Sequence, residues 1–266
     1  MLITNTIIYH KGVYMELNNE NYYSKKADRE YMSFSQFKNF EECPAKAMAI
    51  LNQDWFEDES ESMLIGSFVD SWLDGESSRF AIEHPEIFNT RTGELKASFK
   101  MAQLLCAEIK RDELLYNNLK GKRQVIIQGS IAGVKFKGKI DSLLPNEIHD
   151  GKVLKDCEDV YKNGEKMPFY IANGYDKQAS IYTTLYEQQY GVKLPFFLDV
   201  ITKEKMPDKR IFKFSDNTLN NALQEIIAKA PVYDAMKKGE EPVWYCGKCD
   251  YCKSIKKLTK NDIEEI

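Results

Sequence analysis

Apolar residues recur at helical spacing through roughly the first 120 positions of this 266-residue chain, and at alternate positions in the stretch that follows. Ser33-Phe-Ser-Gln36 reads as a capping box that opens a helix with Phe37 and Phe40 on its buried face. Cys43-Pro44 interrupts that helix, and proline suits a first helical position, so a second helix is predicted from Pro44 towards Leu51. The polar run from Glu57 to Ser62 reads as a loop. Met63 to Leu73 predicts a helix, and Ala97 to Leu119 one longer amphipathic helix. Gln124 to Gln128, Val134 to Asp141 and Glu147 to Asp150 then predict three short strands, divided by Gly129, Gly133 and the Pro145-Asn146 turn. In the second of these, Val134, Phe136 and Ile140 share one face, and Lys135, Lys137 and Lys139 the other. A helix from about Pro168 to Tyr190, closed by Gly191, leads to strands at Phe196–Thr202 and Arg210–Phe214 and a helix from about Asp216 to Lys238. Helices, a sheet and helices again predict a layered α/β or α+β domain.

Composition adds bounds to this pattern. Hydrophobic residues at 43% and aromatics at 12% can supply a core, which sets the chain apart from disordered sequences. With no internal repeat and no low-complexity linker, a single domain over 1–266 is expected. It comprises a helical part at about 30–120, a sheet core at about 121–215, and a C-terminal helix with a cysteine-rich segment at about 216–266. No apolar run is long enough to span a bilayer, and Met1 to His10 has neither a basic leader nor a sustained apolar stretch. A cytoplasmic protein without a membrane partner is expected. The net charge of −4 argues at first against a nucleic-acid partner, but its distribution is uneven. Residues 1–100 hold 10 Lys and Arg against 17 Asp and Glu, and the rest of the chain 27 against 24. The basic clusters Lys120, Lys122 and Arg123, Lys135, Lys137 and Lys139, and Lys203, Lys205, Lys209 and Arg210 all lie in that second part. A phosphate backbone needs only a local basic track, although each cluster alone also fits an ordinary solvated face.

One constellation carries chemistry. Asp141 is expected to end one strand, and Asp150-Gly-Lys152 to lie at the end of the next, across a tight turn. Paired strand ends can bring both carboxylates to one edge of the sheet, where they can hold a hard cation such as Mg²⁺ or Mn²⁺. Lys152, two residues from Asp150, projects to the same side of its strand and can position water or offset phosphate charge. These parts together suit phosphodiester hydrolysis. The histidines offer no rival mechanism: His149 should point to the opposite face of its strand, and His10 and His84 have no neighbouring nucleophile.

In this pattern the chain resembles the PD-(D/E)xK nuclease superfamily, with Gly138-Lys-Ile-Asp141 and Ile148-His-Asp150-Gly-Lys152 as the two matching elements. The resemblance implies a restriction-endonuclease-like mixed β-sheet flanked by helices. Gln178-Ala-Ser-Ile-Tyr182 resembles the Gln-x3-Tyr motif carried on the next helix by the nuclease domains of bacterial recombination helicases, and the spacing puts both side chains on one helical face. Gly66-Ser-Phe-Val-Asp70 resembles a helix whose Gly-x3-His supplies a further metal ligand. Asp70 stands in the histidine's place, and a carboxylate suits Mg²⁺ or Mn²⁺ as well as imidazole does. From Asn21-Tyr-Tyr to the final helix, the chain resembles phage recombination exonucleases of the exodeoxyribonuclease VIII type. That implies an exonuclease on double-stranded DNA, working beside a single-strand annealing protein, with a homo-oligomer as a further expectation. Where several relatives place a glutamate on the first strand, this chain has only Gln124 and Gln128.

Six cysteines in a cytosolic chain do not suggest a disulfide framework, but Cys246, Cys249 and Cys252 fall within seven residues and point to a metal. Cys43 is the leading fourth ligand, because the helix from Ser33 to Pro44 resembles the entry helix of the iron–sulfur branch of these nucleases. One Cys before the core and three after it clasp a 4Fe–4S cluster in that branch. Zinc is the alternative. Cys106 and Cys157 read as buried free thiols. The rival functional class is a catalytically silent, zinc-stabilised DNA-binding or scaffolding protein of the same fold.

Overall fold

The computed structural model describes residues 15–162, 164–263 and 265, so the opening segment Met1–His10 lies outside the described residues. Helix α1 (Lys25–Glu30) is capped by Ser24, and α2 (Phe34–Glu42) by Ser33, whose Oγ accepts the Gln36 N–H at 3.2 Å. The reciprocal half of the expected box is absent, because the Gln36 amide donates instead to the Asp28 carbonyl. Pro44 opens α3 (Pro44–Asn52) as predicted. Next come α4 (Glu61–Asp74), α5 (Ser77–Glu83) and α6 (Ala97–Arg111). The single helix expected over 97–119 is broken at Asp112, where the backbone turns extended and the carboxylate caps Leu115 N–H at the start of α7 (Glu113–Leu119).

The strands are longer than the sequence pattern predicted: β1 (Lys122–Ile131), β2 (Val134–Leu144) and β3 (Glu147–Leu154). A small hairpin, β4 (Val160–Lys162) and β5 (Glu165–Met167), precedes α8 (Phe169–Ala172) and α9 (Tyr175–Tyr190). The helix expected from about Pro168 to Tyr190 divides at Asn173-Gly174, where Gly174 adopts a φ of +77° that suits a residue without a Cβ. The chain closes with β6 (Phe196–Thr202), β7 (Lys209–Lys213), α10 (Asp216–Lys238) and the short α11 (Asp250–Ser254).

The main sheet runs β1-β2-β3-β6-β7. Its β3–β6 pair is parallel and its other pairs are antiparallel, with α9 in the crossover between β3 and β6. This is the mixed, helix-flanked sheet that was expected. The alternation of β3 and β6 separates two cores. Ile148, Leu198 and Val200 bury against Phe37 and Phe40 of α2, Ile181 and Leu185 of α9, and Ile226 and Ala230 of α10. Val153 and Ile201 join Leu119, Leu105, Ile109 and Phe68 from the earlier helices. Each large apolar side chain buried in this way contributes about 1.5–3 kcal/mol.

Two expectations are corrected here. Asp141 and Asp150 lie within β2 and β3 rather than at their ends. The lysine face of β2 is not an open basic track: Lys137 is 1% exposed and pairs with Asp28 at 2.7 Å and with the Tyr22 carbonyl. Lys135 pairs with Glu30 at 2.8 Å. The segment around α1 covers this face, which no local pattern in β2 could announce. Among the described residues, no helix is long and apolar enough to cross a membrane.

Candidate active site

The site begins in the register of β2 and β3. Ser142 pairs with His149, so the next step along the same antiparallel ladder sets Asp141 opposite Asp150. The Asp150 carboxylate is 1% exposed. Its Oδ1 accepts from Gln178 Nε2 at 2.8 Å, and Lys152 Nζ stands 2.5 Å from its Oδ2. The Lys152 ammonium is thus the charged partner of Oδ2. A carboxylate this deeply buried is costly unless such a cation compensates its charge.

The charges follow from the crowding. Burial, and next the Asp150 charge, push the Asp141 carboxyl above the usual carboxylate range. Burial works against the Lys152 ammonium, but Asp150 and Asp141 outweigh it and hold the group protonated. Lys152 also lies 5.7 Å from the centre of the Tyr175 ring. Two carboxylates pressed together beside a single ammonium fit a divalent cation, and oxygen ligands suit Mg²⁺ or Mn²⁺.

Helix α9 brings Gln178 and Tyr182 onto this centre, as their spacing predicted. Both are buried, and the Tyr182 hydroxyl hydrogen-bonds the Gln178 side chain. Gly138 makes room for the tyrosine, since a Cβ there would lie 2.8 Å from the Tyr182 ring. A cavity of about 600 Å³ opens over Asp141 and Lys152, with Gln124, Gln178 and Tyr182 in its lining. Its mouth carries Tyr22, Tyr23, Lys25 and Lys139. The Lys139 ammonium lies 5.3 and 5.0 Å from the centres of the Tyr22 and Tyr23 rings.

Asp70 stands apart from the pair. It lines a second cavity, of about 620 Å³, which reaches Lys152 from the α4 side. Its side chain is 47% exposed and lies 3.6 Å from an Arg123 guanidinium nitrogen. Partial burial among the packed groups of the cleft, and next the Asp141 charge, push its carboxyl up to about 7, a shift that the open half of the side chain moderates. Among the described residues, Asp70, Asp141 and Asp150 do not converge as closely as the cysteines do. Gln124 lines the cleft, and Gln128 instead presents its backbone N–H to Gln189.

Sequence reasoning passed over Tyr175, one turn before Gln178 and on the same side of the helix. It also missed Asp199, whose position inside an apolar strand was the available signal. Behind β3, Asp199 bonds His149 Nδ1 at 2.6 Å and accepts from Asn118 Nδ2 at 2.9 Å. His149 is thus packed on the opposite face of β3, as expected, and stacks on Phe197.

The four cysteines Cys43, Cys246, Cys249 and Cys252 converge at the other end of α3, with all four sulfurs within 4.8 Å of one another, and can bind a metal. Cys106 and Cys157 are free thiols; Cys106 is buried as expected, whereas Cys157 is only half-buried.

A mixed sheet with opposed aspartates and an Asp-x-Lys on adjacent strands defines the PD-(D/E)xK nuclease class. Residues 33–255 match the family described as a PDDEXK-like domain of unknown function (DUF3799), and the chain belongs to that family. It is also similar to a crystal structure provisionally named an exonuclease, from Eubacterium rectale. The two share 39% identity with a TM-score of 0.88, over 92% of this chain and 96% of that one. No curated protein matches the chain.

Proposed function

We propose that this chain is a Mg²⁺- or Mn²⁺-dependent deoxyribonuclease, and specifically an exonuclease on double-stranded DNA that serves recombination. The observation that carries the reading is the buried Asp150, held by Gln178 on one oxygen and facing the Lys152 ammonium on the other, opposite Asp141. A silent scaffold would gain nothing from retaining so costly an arrangement. Bound between Asp141 and Asp150, the cation would polarise the scissile phosphate and lower the pKa of the attacking water. Asp70 would complete the set from α4. Lys152, kept charged by its carboxylate neighbours, orients that water and offsets charge on the phosphate. Gln178 fixes the rotamer of Asp150, and Tyr182 fixes Gln178. The exposed Tyr23 offers a face on which a base can stack, with Lys25 and Lys139 beside it for the backbone.

The exonuclease mode rests on the resemblance to exodeoxyribonuclease VIII-type enzymes and on the Eubacterium rectale neighbour's name. The same resemblance brings the phage setting and the annealing partner into the proposal. A cytoplasmic location, self-association and the whole chain acting as one domain are proposed beside them. For the cysteine centre the resemblance implies a 4Fe–4S cluster, with zinc as the alternative, and the spacing of the sulfurs decides between the two.

The test is direct. Linear duplex, nicked circular and covalently closed DNA are incubated with the protein and Mg²⁺ or Mn²⁺, with and without EDTA. Loss of the linear form alone, abolished by EDTA, is expected. Cutting of closed circles would replace exonuclease by endonuclease, and no cleavage of any form with either ion would overturn the reading.

A further inference from the structure

The spacing of the four cysteine sulfurs distinguishes one kind of metal centre from another. Cys43 Sγ lies 3.6 Å from Cys252 Sγ, and Cys246 Sγ lies 3.9 Å from the same atom. All four lie within 4.8 Å of one another. Thiolates about 2.3 Å from one tetrahedral ion stand about 3.8 Å apart, by the geometry of the tetrahedron. A four-iron cube gives each thiolate its own iron and spreads the sulfurs to roughly 6 Å. The cluster implied by the resemblance therefore does not fit between these sulfurs, and a single ion does.

The local backbone agrees with one ion. Gly247, at a φ of +72°, turns the chain so that the Lys248 and Cys249 N–H groups donate to Cys246 Sγ at 3.4 and 3.3 Å. Cys252 N–H does the same for Cys249 Sγ at 3.5 Å. Such N–H donors answer the charge of thiolates and fix their direction. The Trp244 carbonyl accepts from Ala45 N–H at 3.2 Å, which brings the closing segment against the start of α3 beside Cys43.

We propose that Cys43, Cys246, Cys249 and Cys252 bind one structural zinc ion. On binding Zn²⁺ the four thiols release four protons, leaving a centre of net charge −2. Protein sulfur fills every position, so no site remains for water or substrate, as in structural zinc centres. Between the divalent ions that accept four thiolates, zinc binds more tightly than ferrous iron. The ion joins Cys252 to Cys43, the residue between α2 and α3, and those helices supply Phe34, Lys38, Ala47 and Ile50 to the wall of the catalytic cavity. The zinc thus ties the end of the chain to one side of the cleft. This assignment stands on the sulfur geometry and holds whether or not the cleft cuts DNA.

The experiment uses the full chain purified without oxygen and without added metal. Elemental analysis, acid-labile sulfide and the visible spectrum are measured together. About one zinc per chain, no sulfide and no brown colour are expected, with cobalt exchange producing the visible bands of a tetrahedral thiolate complex. Cys249→Ser should lose the zinc and melt at lower temperature. Should that variant fail to fold, a mercurial added to the wild type should release one zinc per chain, read with a metallochromic dye. Iron with sulfide, one iron without sulfide, or a folded protein with no metal would each overturn the proposal.

Discussion

Gln178 on α9 donates to Asp150 Oδ1 at 2.8 Å, so a helix that enters the fold after the first three strands sets the orientation of a carboxylate on β3. The bond does more than fill one lone pair. It turns the second oxygen, Oδ2, towards the Lys152 ammonium. The parallel β3–β6 pair forces the chain to cross the sheet through α9, and this crossover lays the Gln178–Tyr182 face over the paired aspartates. Topology and chemistry are joined at this contact.

Asp141→Asn and Lys152→Ala are each expected to lower the rate of DNA cleavage by at least about a hundredfold with the fold intact, since groups acting as a unit lose most of their effect when one is removed. Steady-state rates on linear duplex, alongside circular dichroism, check this. A variant with full activity removes its residue from the mechanism.

Asp70 sets an expected pH dependence. Its carboxyl is raised to about 7, and Asp141 is raised as well, so protons compete with the cation below neutrality. The Mg²⁺ concentration for half-maximal rate should therefore fall as pH rises from about 6 to 8, by up to about tenfold per unit for each proton displaced. Asp70→Asn removes one of the competing protons and one charge, so it should need more Mg²⁺ at pH 8 and respond less steeply to pH. If the two titrations superimpose, Asp70 has no part in holding the cation.

Asp176, on the first turn of α9, is buried with Oδ1 lacking a partner, and burial pushes its carboxyl up to about 6. The folded chain thus holds this proton more tightly than the unfolded chain, whose carboxyl titrates near 3.9. Its contribution falls as pH rises between those values, and the full penalty is present above about 6. Asp176→Asn should be more stable than the wild type at pH 7.5, by about 1–2 kcal/mol and at most about 3, with the difference gone near pH 4. Urea midpoints at the two pH values decide it, and a constant difference would show that ionisation is not the cause.

The elements that could be read from sequence are those whose signal is local. Ser33, the Cys43-Pro44 break and the Gln178–Tyr182 spacing act within a turn or two of helix, and the structure forms each of them. The break at Asp112 was local too, but an aspartate inside an amphipathic pattern reads as an exposed position unless its capping role is considered. The lengths of β1 to β3 and the burial of Lys137 were not legible. The lengths depend on pairing between the strands, and the burial of Lys137 depends on Tyr22 and Asp28, more than a hundred residues away. The sulfur spacing belongs to the same class, since it depends on residues 43 and 252 meeting in space.

Gln124 shows how the missing glutamate of the first strand can be tested. It stands where the β1–β2 ladder, which pairs Arg123 with Ser142 and Val125 with Ile140, would set it opposite Asp141. Its φ is +56°, a left-handed conformation that costs a residue with a Cβ about 1 kcal/mol or more. Gln124→Gly should relieve that strain, leaving stability unchanged or raised by about 0.5 kcal/mol once the greater freedom of glycine in the unfolded chain is counted. Gln124→Glu keeps the strain and adds a carboxylate beside Asp141. Without a cation it should lower the melting temperature by a few degrees, through repulsion within the cleft. With Mg²⁺ or Mn²⁺ that loss should reverse, and the half-saturating metal concentration should fall severalfold, because an additional charged oxygen ligand favours a hard cation. Melting curves of both variants with and without metal give the answer. If Gln124→Glu is destabilised equally in both conditions, the side chain at 124 points away from the cation, and the first strand contributes only backbone to the site.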